Sequence, residues 1–143
     1  MNEFLEQWVN AIKSGDPKQV TDLYHENAIL LGTFSEKERI GHELILEYFE
    51  VLLKLPENVE GVEVGTVSPV EVEIVSEHFS ASDLFAVSSG HYNFVVTGIE
   101  ECSPTPIIFK ARFSFVYRKD NDEWKIISHH SSLIPKTLDP PKV

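Results

Sequence analysis

The last apolar segment of the chain ends in four side chains that could do chemistry. The stretch WKIISHHSS runs from an apolar strand into His129, His130, Ser131 and Ser132, shortly before Pro135. Imidazoles exchange protons near neutral pH or bind anions when protonated, and hydroxyls can donate to the same ligand. Neighbouring residues of a strand point to opposite faces, so the two histidines cannot share one metal ion, and we expect no metal site.

The preceding strand supplies further polar side chains opposite this strand end. A tight turn in the DND segment would set Arg112 opposite His130. The same register sets Ser114 opposite Ser128, and all four then share one face of the sheet. A slip of one residue would select His129 instead. The sequence therefore predicts a polar patch, with one of the two histidines in it.

Two roles are open for this patch. It could form the polar floor of an interior cavity, where Arg112 supplies fixed charge and His130 a titratable donor for a carboxylate or another anionic group. It could instead be satisfied internally, with Arg112 paired to a helix carboxylate such as Glu47, because an unpaired buried charge is strongly destabilising. Four aromatic residues are candidates for the apolar wall of the cavity, and core packing explains each of them as well. They are Trp8, Tyr24, Tyr48 and Tyr92.

Hydrophobic spacing predicts three helices. Apolar residues recur at intervals of three and four in residues 4–12, where Asn2 could cap the helix and Gly15 could end it. Asp16 and Pro17 are typical of the start of a second, short helix, and we assign neither a ligand role. The segment GHELILEYFEVLLK carries one apolar face and predicts the third helix.

The remaining elements are predicted as strands. AILL, at residues 28–31, is typical of a short buried strand. From Val62 the apolar period changes to two, as in VEVEIV. DLFAVSSGHYNFVVTG and IIFKARFSFVYRK predict two long strands joined by the loop IEECSPTP, and WKIISHHSS is the final strand. Helices followed by antiparallel strands indicate an α+β fold.

The strand at residues 107–118 has two different faces, and neither is simply a solvent face. One face carries Phe109, Ala111, Phe113, Phe115 and Tyr117. The other carries Ile108, Lys110, Arg112, Ser114 and Val116. Helices can cover one face, and a second subunit or a ligand cavity can account for the other. Because the aromatic face would otherwise expose a large apolar patch, we expect a homodimer or larger closed oligomer built on it.

The composition describes a small acidic protein. The 143 residues include 12 Lys and Arg and 23 Asp and Glu, a net charge of −11, which disfavours nucleic acid and anionic membranes as partners. No apolar run approaches the roughly 20 residues of a membrane span, and the N-terminus shows no secretory signal. The single cysteine cannot form an intrachain disulfide. We expect a cytoplasmic protein without a cofactor, with one domain at 1–136 and a loosely held tail at 137–143.

Four segments together resemble a known family. They are WVNAIKSGDPKQVTDLYHENAILLGTFS, RIGHELILEYFEVLL, SSGHYNF and ARFSFVYRKDNDEWKIISHHSSLIP. They resemble the SnoaL-like branch of the nuclear transport factor 2-like superfamily, and within it bacterial proteins related to the association domain of calcium/calmodulin-dependent protein kinase II. The resemblance implies a cone in which a strongly curved, mostly antiparallel sheet wraps around three helices. It also implies a cavity at the wide end and oligomerisation through the outer face of the sheet.

The resemblance also bears on chemistry. In ketosteroid-isomerase-like members, a tyrosine of the first helix donates to the oxyanion, and an aspartate at the end of the first strand is the base. The matching positions here are Trp8 and Gly32, which argues against that reaction, because glycine cannot accept a proton. The substitutes for a base are His130 and, second, Glu47.

Proteins with this fold have many different functions, so we consider three of them for this chain. We expect a domain that binds a small anionic or carbonyl-bearing molecule in its cavity and acts as a dimer. The first alternative is an oligomerisation module resembling the kinase association domain. The second is an isomerase, cyclase or hydrolase that uses His130.

Overall fold

Helices and strands combine in a mixed α+β fold, as predicted. The computed structural model describes residues 1–54, 70–97 and 106–135. In chain order the elements are α1 (Glu3–Ser14), α2 (Pro17–Thr21), β1 (Tyr24–Leu31), β2 (Arg39–Ile40), α3 (His42–Leu52), β3 (Glu71–Ala81), β4 (Phe85–Thr97), β5 (Pro106–Asp120) and β6 (Glu123–Leu133). The strands form one curved sheet that does not close, in the order β2-β1-β6-β5-β4-β3. β1 and β6 are parallel, and every other neighbouring pair is antiparallel.

The first helix begins and ends, and the second begins, where the sequence predicts. The Asn2 side chain accepts a hydrogen bond from the Leu5 N–H at 2.9 Å and caps α1. Gly15 ends α1 in the left-handed conformation with φ of 76°, which glycine adopts without strain. Asp16 caps α2 through the Lys18 N–H. None of the helices in the described ranges has both the length and the apolar character needed to cross a membrane.

The aromatic face of β5 packs against the helices of the same chain. Phe115 and Tyr117 are almost completely buried. The ring of Trp8 on α1 lies 5.3 Å from that of Phe115, and the ring of Phe4 lies 4.9 Å from that of Tyr117. The expectation that this face forms the contact between subunits is wrong, because α1 already covers the rings. The opposite face of β5 is the outer face of the sheet.

A two-residue turn joins β5 to β6. Asn121 and Asp122 both have positive φ, of 52° and 61°, as the tight turns that match strand twist require. Asp120 therefore pairs with Glu123.

A one-residue bulge at Ile127 then shifts the pairing of these strands. Before the bulge Tyr117 pairs with Ile126, and beyond it Ser114 pairs with His130. The predicted register, which set Ser114 opposite Ser128, is wrong by two residues. A bulge also exchanges the two faces of the strand beyond it, because side chains alternate with a period of two.

Two strands differ from the sequence prediction. β1 begins at Tyr24 rather than Ala28, and its Ile29 and Leu31 are exposed, so it is buried on one face only. The short β2 was not predicted, since two residues carry no periodicity. The predictions for 62–69, for the loop after β4 and for the tail at 137–143 lie outside the described residues.

We expect Asp16→Ala to lower the free energy of unfolding by about 1 kcal/mol, the usual effect of losing a helix N-cap. Asp16→Asn is the matched control, because asparagine caps equally well and should cost only a few tenths of that. Urea unfolding followed by circular dichroism measures both. Equal losses in the two variants would show that the cap does not stabilise α2.

Candidate functional site

The sheet divides the eight predicted ligand-binding residues into two groups. The aromatic residues are buried between the sheet and the helices, and they are Trp8, Tyr24, Tyr48 and Tyr92. The polar residues are exposed on the outer face, and they are Arg112, Ser114, Ser128 and His130. The polar group was expected on the floor of the interior, and that placement is wrong, because the bulge in β6 and the helices on the aromatic face turn it outward. The ligand-binding role of both groups stays a prediction.

The imidazole that enters the interior is that of His129, which is 3% exposed. Its Nδ1 lies 2.7 Å from the hydroxyl of Tyr24, and its Nε2 lies 3.2 Å from the hydroxyl of Tyr92. The imidazole stacks on Phe115 with 3.8 Å between the ring centres. Both ring nitrogens of His129 are therefore hydrogen-bonded, and one face of the ring is stacked, within the protein itself.

Hydrogen bonds extend from these two tyrosines in opposite directions. The indole N–H of Trp8 donates to the Tyr24 hydroxyl at 3.1 Å. The Tyr92 hydroxyl donates to Ser131 Oγ at 2.5 Å, and Ser131 is hydrogen-bonded in turn to the Thr33 hydroxyl. The network thus links α1, β1, β4 and β6 and reaches the half-buried Thr33 just beyond β1.

The directions of these bonds determine the tautomer of His129. Because the Tyr92 hydroxyl donates its hydrogen bond to Ser131, the Tyr92 oxygen accepts a hydrogen bond from the Nε2–H of His129. Nδ1 then carries no proton and accepts from Tyr24. Each donor in this arrangement has an acceptor, as buried polar groups require.

Burial keeps the network uncharged. Removal from water lowers the pKa of His129 to about 3, and the nearby His130 adds a smaller effect in the same direction. Burial also raises the pKa of Tyr24 and of Tyr92 well above the usual tyrosine value. At neutral pH the network is a chain of neutral hydrogen bonds that joins the elements of the core.

The position matched to a catalytic aspartate is filled by an aromatic ring. A Cβ atom at Gly32 would lie 2.4 Å from ring carbons of Tyr48, so even alanine does not fit without movement. Tyr48 is buried, and burial raises its pKa to about 12. At the position matched to the oxyanion donor, the N–H of Trp8 is already bonded to Tyr24. Both positions therefore serve packing and internal hydrogen bonding.

The outer face of the sheet is organised in rows of side chains that cross several strands. The apolar row consists of Ile40, Ile29, Ser128, Val116 and Val87. The histidine row consists of Leu31, His130, Ser114, Ser89 and His78. The arginine row consists of Ser132, Arg112, His91 and Ser76. Three of the four predicted polar residues thus lie in the adjoining histidine and arginine rows, and Ser128 lies in the apolar row.

An open groove of about 690 Å³ lies beside the first residues of β5 and the last of β6. Among the described residues its lining is apolar except for one amine, and these residues are Ile108, Phe109, Lys110, Leu133, Ile134 and Pro135. Of the aromatic and polar residues predicted from the sequence, none of those the structure describes lines this groove. In the same ranges no three His, Cys, Asp or Glu side chains are arranged to hold a metal ion.

Sequence reasoning favoured His130 over His129 for the interior, and no local signal could have corrected it. The two alternating sets of the strand have the same character, since both combine histidine with serine. One contains His129 and Ser131, and the other contains Ser128 and His130. Only the bulge, which changes the alternation after Ile126, distinguishes them.

The chain matches the family model described as the calcium/calmodulin dependent protein kinase II association domain over residues 1–135. A Xanthomonas campestris structure described by that same domain name is 30% identical with a TM-score of 0.75, and the match covers 93% of this chain and 84% of that one. No curated protein matches the chain.

More distant structures share the fold. A nuclear transport factor 2-like protein from Salmonella enterica serovar Typhimurium is 16% identical with a TM-score of 0.73, covering 99% of this chain and 93% of that one. A Streptomyces avermitilis protein of the same superfamily, described as a dehydratase, is 14% identical with a TM-score of 0.72, covering 93% of each chain. At these identities the likeness concerns the fold alone.

We expect the stability of the protein to fall by about 2 kcal/mol between pH 7 and pH 5 through His129 alone. Its pKa is lowered on folding, so the unfolded chain takes up a proton below about pH 6.5 while the folded protein does not until about pH 3. The stability that the neutral His129 contributes is fully present above the histidine pKa of the unfolded chain, and it is lost as pH falls below that pKa. Urea unfolding at pH 7, 6 and 5 measures the slope.

His129→Gln should flatten this pH dependence, because it removes the buried titrating group. His130→Gln is the matched control, since it changes the neighbouring exposed histidine and leaves the network intact. Identical slopes for wild type and His129→Gln would contradict the neutral, buried state of His129.

Proposed function

The chain belongs to the calcium/calmodulin dependent protein kinase II association domain family, and on that premise we propose that it is a self-associating domain whose copies meet through the outer face of the sheet. A homodimer is the smallest assembly of this kind, since one surface serves both partners. The cytoplasm stays the proposed location, because a single cysteine needs no oxidising compartment.

The observation that carries this proposal is the apolar row. Ile40, Ile29 and Val87 are 54%, 43% and 42% exposed, and they lie in one row that crosses the sheet from β2 to β4. Leu31, in the next row, is 39% exposed. A run of apolar side chains on a rigid sheet is typical of a contact surface between proteins.

The extent of the outer face fits a stable dimer. The five longer strands, at about 4.8 Å each, give a width of about 25 Å, and the segment of β5 from Ile108 to Val116 gives a length of about 30 Å. The product, roughly 750 Å², is close to the roughly 800 Å² per partner of a standard interface. The inner face is not available for this role, because the helices cover it.

Small-molecule binding is a second candidate function, favoured by the groove at the ends of β5 and β6. Ile108 and Leu133 expose about half of their surface there, and Lys110 is the one charged residue among the described lining. Apolar walls with a single convergent charge suit a molecule with an apolar body and an anionic or carbonyl group. This groove replaces the interior floor as the proposed place for such a ligand.

We expect the wild-type protein to sediment as a dimer at micromolar concentration, and Ile29→Glu to weaken self-association by about tenfold or more. Ile29 lies between Ile40 and Ser128 in the apolar row, and a buried unpaired carboxylate there is costly. Leu44→Glu is the matched control. Leu44, 39% exposed, is nearly as exposed as Ile29 but lies on α3, away from the outer face. Sedimentation equilibrium measures both variants. A monomeric wild type, or equal effects of the two variants, would contradict the proposal.

For the groove, we expect medium-chain alkyl carboxylates to raise the melting temperature by several degrees at saturating concentration, and acetate to have little effect. Lys110→Met should abolish the preference for a carboxylate over the matching alcohol. Lys119→Met, near the opposite end of β5, serves as the control. No shift with any chain length would remove this candidate.

A further inference from the structure

A shallow depression of about 320 Å³ lies on the outer face where the histidine and arginine rows meet. Its lining contains the side chains of Arg112, Ser114, His130 and Ser132. Ser114 pairs with His130 across β5 and β6, and Arg112 pairs with Ser132. Directly opposite residues on a strand pair are about 5 Å apart, so these groups converge on a volume the size of a small ion or metabolite.

Arg112 differs from the other two arginines of the chain. Arg39 pairs with Glu47 at 3.4 Å, and Arg118 pairs with Asp120 at 2.9 Å. Arg112 forms neither a hydrogen bond nor an ion pair with any residue in the described ranges. In a chain with a net charge of −11, a guanidinium with no partner among the described residues is a distinctive positive site.

The strands beside Arg112 place basic side chains around it, and a carboxylate lies two strands away. Within the described strands, the side chains of the histidine and arginine rows include no carboxylate. The titratable and charged groups around Arg112 on the outer face are Lys110 on its own strand, His91 on β4, His130 on β6 and, two strands away on β3, His78 and Glu73. On the β1 side the neighbour of His130 is the apolar Leu31.

We propose that this depression is a binding site for a small oxyanion, a carboxylate or a sulfate- or phosphate-type group. The guanidinium of Arg112 offers two parallel N–H donors to such a group, the hydroxyls of Ser114 and Ser132 add neutral donors, and the imidazole of His130 adds an N–H donor. All four side chains belong to one copy of the chain, and because they lie on the outer face, a dimer formed through that face would enclose the bound anion.

Sulfate and acetate are suitable probes of this site, because both are fully ionised anions at neutral pH. Ionic strength must be held constant, since screening weakens exposed charges.

The test is a titration of the full chain with sulfate and with acetate, followed by NMR of the arginine Nε–H and histidine side-chain signals. We expect the Arg112 and His130 signals to shift with a common dissociation constant. Arg112→Gln should weaken binding about tenfold or more, as expected for the loss of a hydrogen bond to a charged group. His130→Gln should weaken binding less than Arg112→Gln, because it leaves the guanidinium in place.

Arg118→Gln is the matched control, because Arg118 lies on the same strand and is neutralised by Asp120. It should leave the dissociation constant unchanged. The proposal is overturned if neither anion shifts the Arg112 signal, or if Arg118→Gln weakens binding as much as Arg112→Gln. It is also overturned if no anion binds while Arg112→Gln disrupts self-association, since Arg112 would then be paired with a carboxylate of a second copy. Because Arg112 is exposed, its replacement should not prevent folding, and circular dichroism checks this.

Discussion

The bulge at Ile127 is the feature on which the arrangement of the polar residues depends. Up to Ile126 the last strand turns its apolar side chains to the helices, and beyond the bulge the other alternating set takes that place. His129 and Ser131 consequently point into the core, and His130 points to the outer face. One inserted residue thus decides which imidazole is buried and which is accessible to ligands and partners.

The buried imidazole is compatible with a stable core because its neighbours satisfy it. Burial of an uncompensated polar group is costly, and His129 avoids that cost through the hydroxyls of Tyr24 and Tyr92. The same bonds occupy both nitrogens, and burial keeps the ring neutral. A residue in this state joins strands and helices, and it differs from a catalytic base, which must reach a substrate.

The two faces of the sheet differ in what packs against them. The inner face is closed by aromatic packing with α1, and Tyr48 fills the space that the missing side chain of Gly32 leaves. The outer face has no cover within the described residues, and it carries an apolar row beside two rows of hydroxyl, imidazole and guanidinium groups. The proposed self-association and the proposed anion binding both concern this outer face, whereas the packing of the inner face explains why the chain departs from the isomerase pattern.

Local features of the sequence determined the elements and their ends. Asn2, Gly15 and Asp16 act through their own backbone neighbours, so the limits of α1 and the start of α2 could be predicted. The four long strands and the α+β class followed from periodicity, since a period of two or of 3.6 residues needs no knowledge of distant contacts. Most of the fold was therefore accessible from the sequence.

The orientation of the strands was decided by the tertiary structure alone. Periodicity separates the two faces of β5 but does not say which one meets the helices, and an aromatic face is equally suited to a helix or to a second subunit. In β6 both alternating sets contain histidine and serine, so the composition does not distinguish His129 from His130. The difference arises because strand pairing must absorb one extra residue at Ile127 while Ile126 stays packed in the core. That requirement involves residues far apart in the chain, and no local pattern contains it.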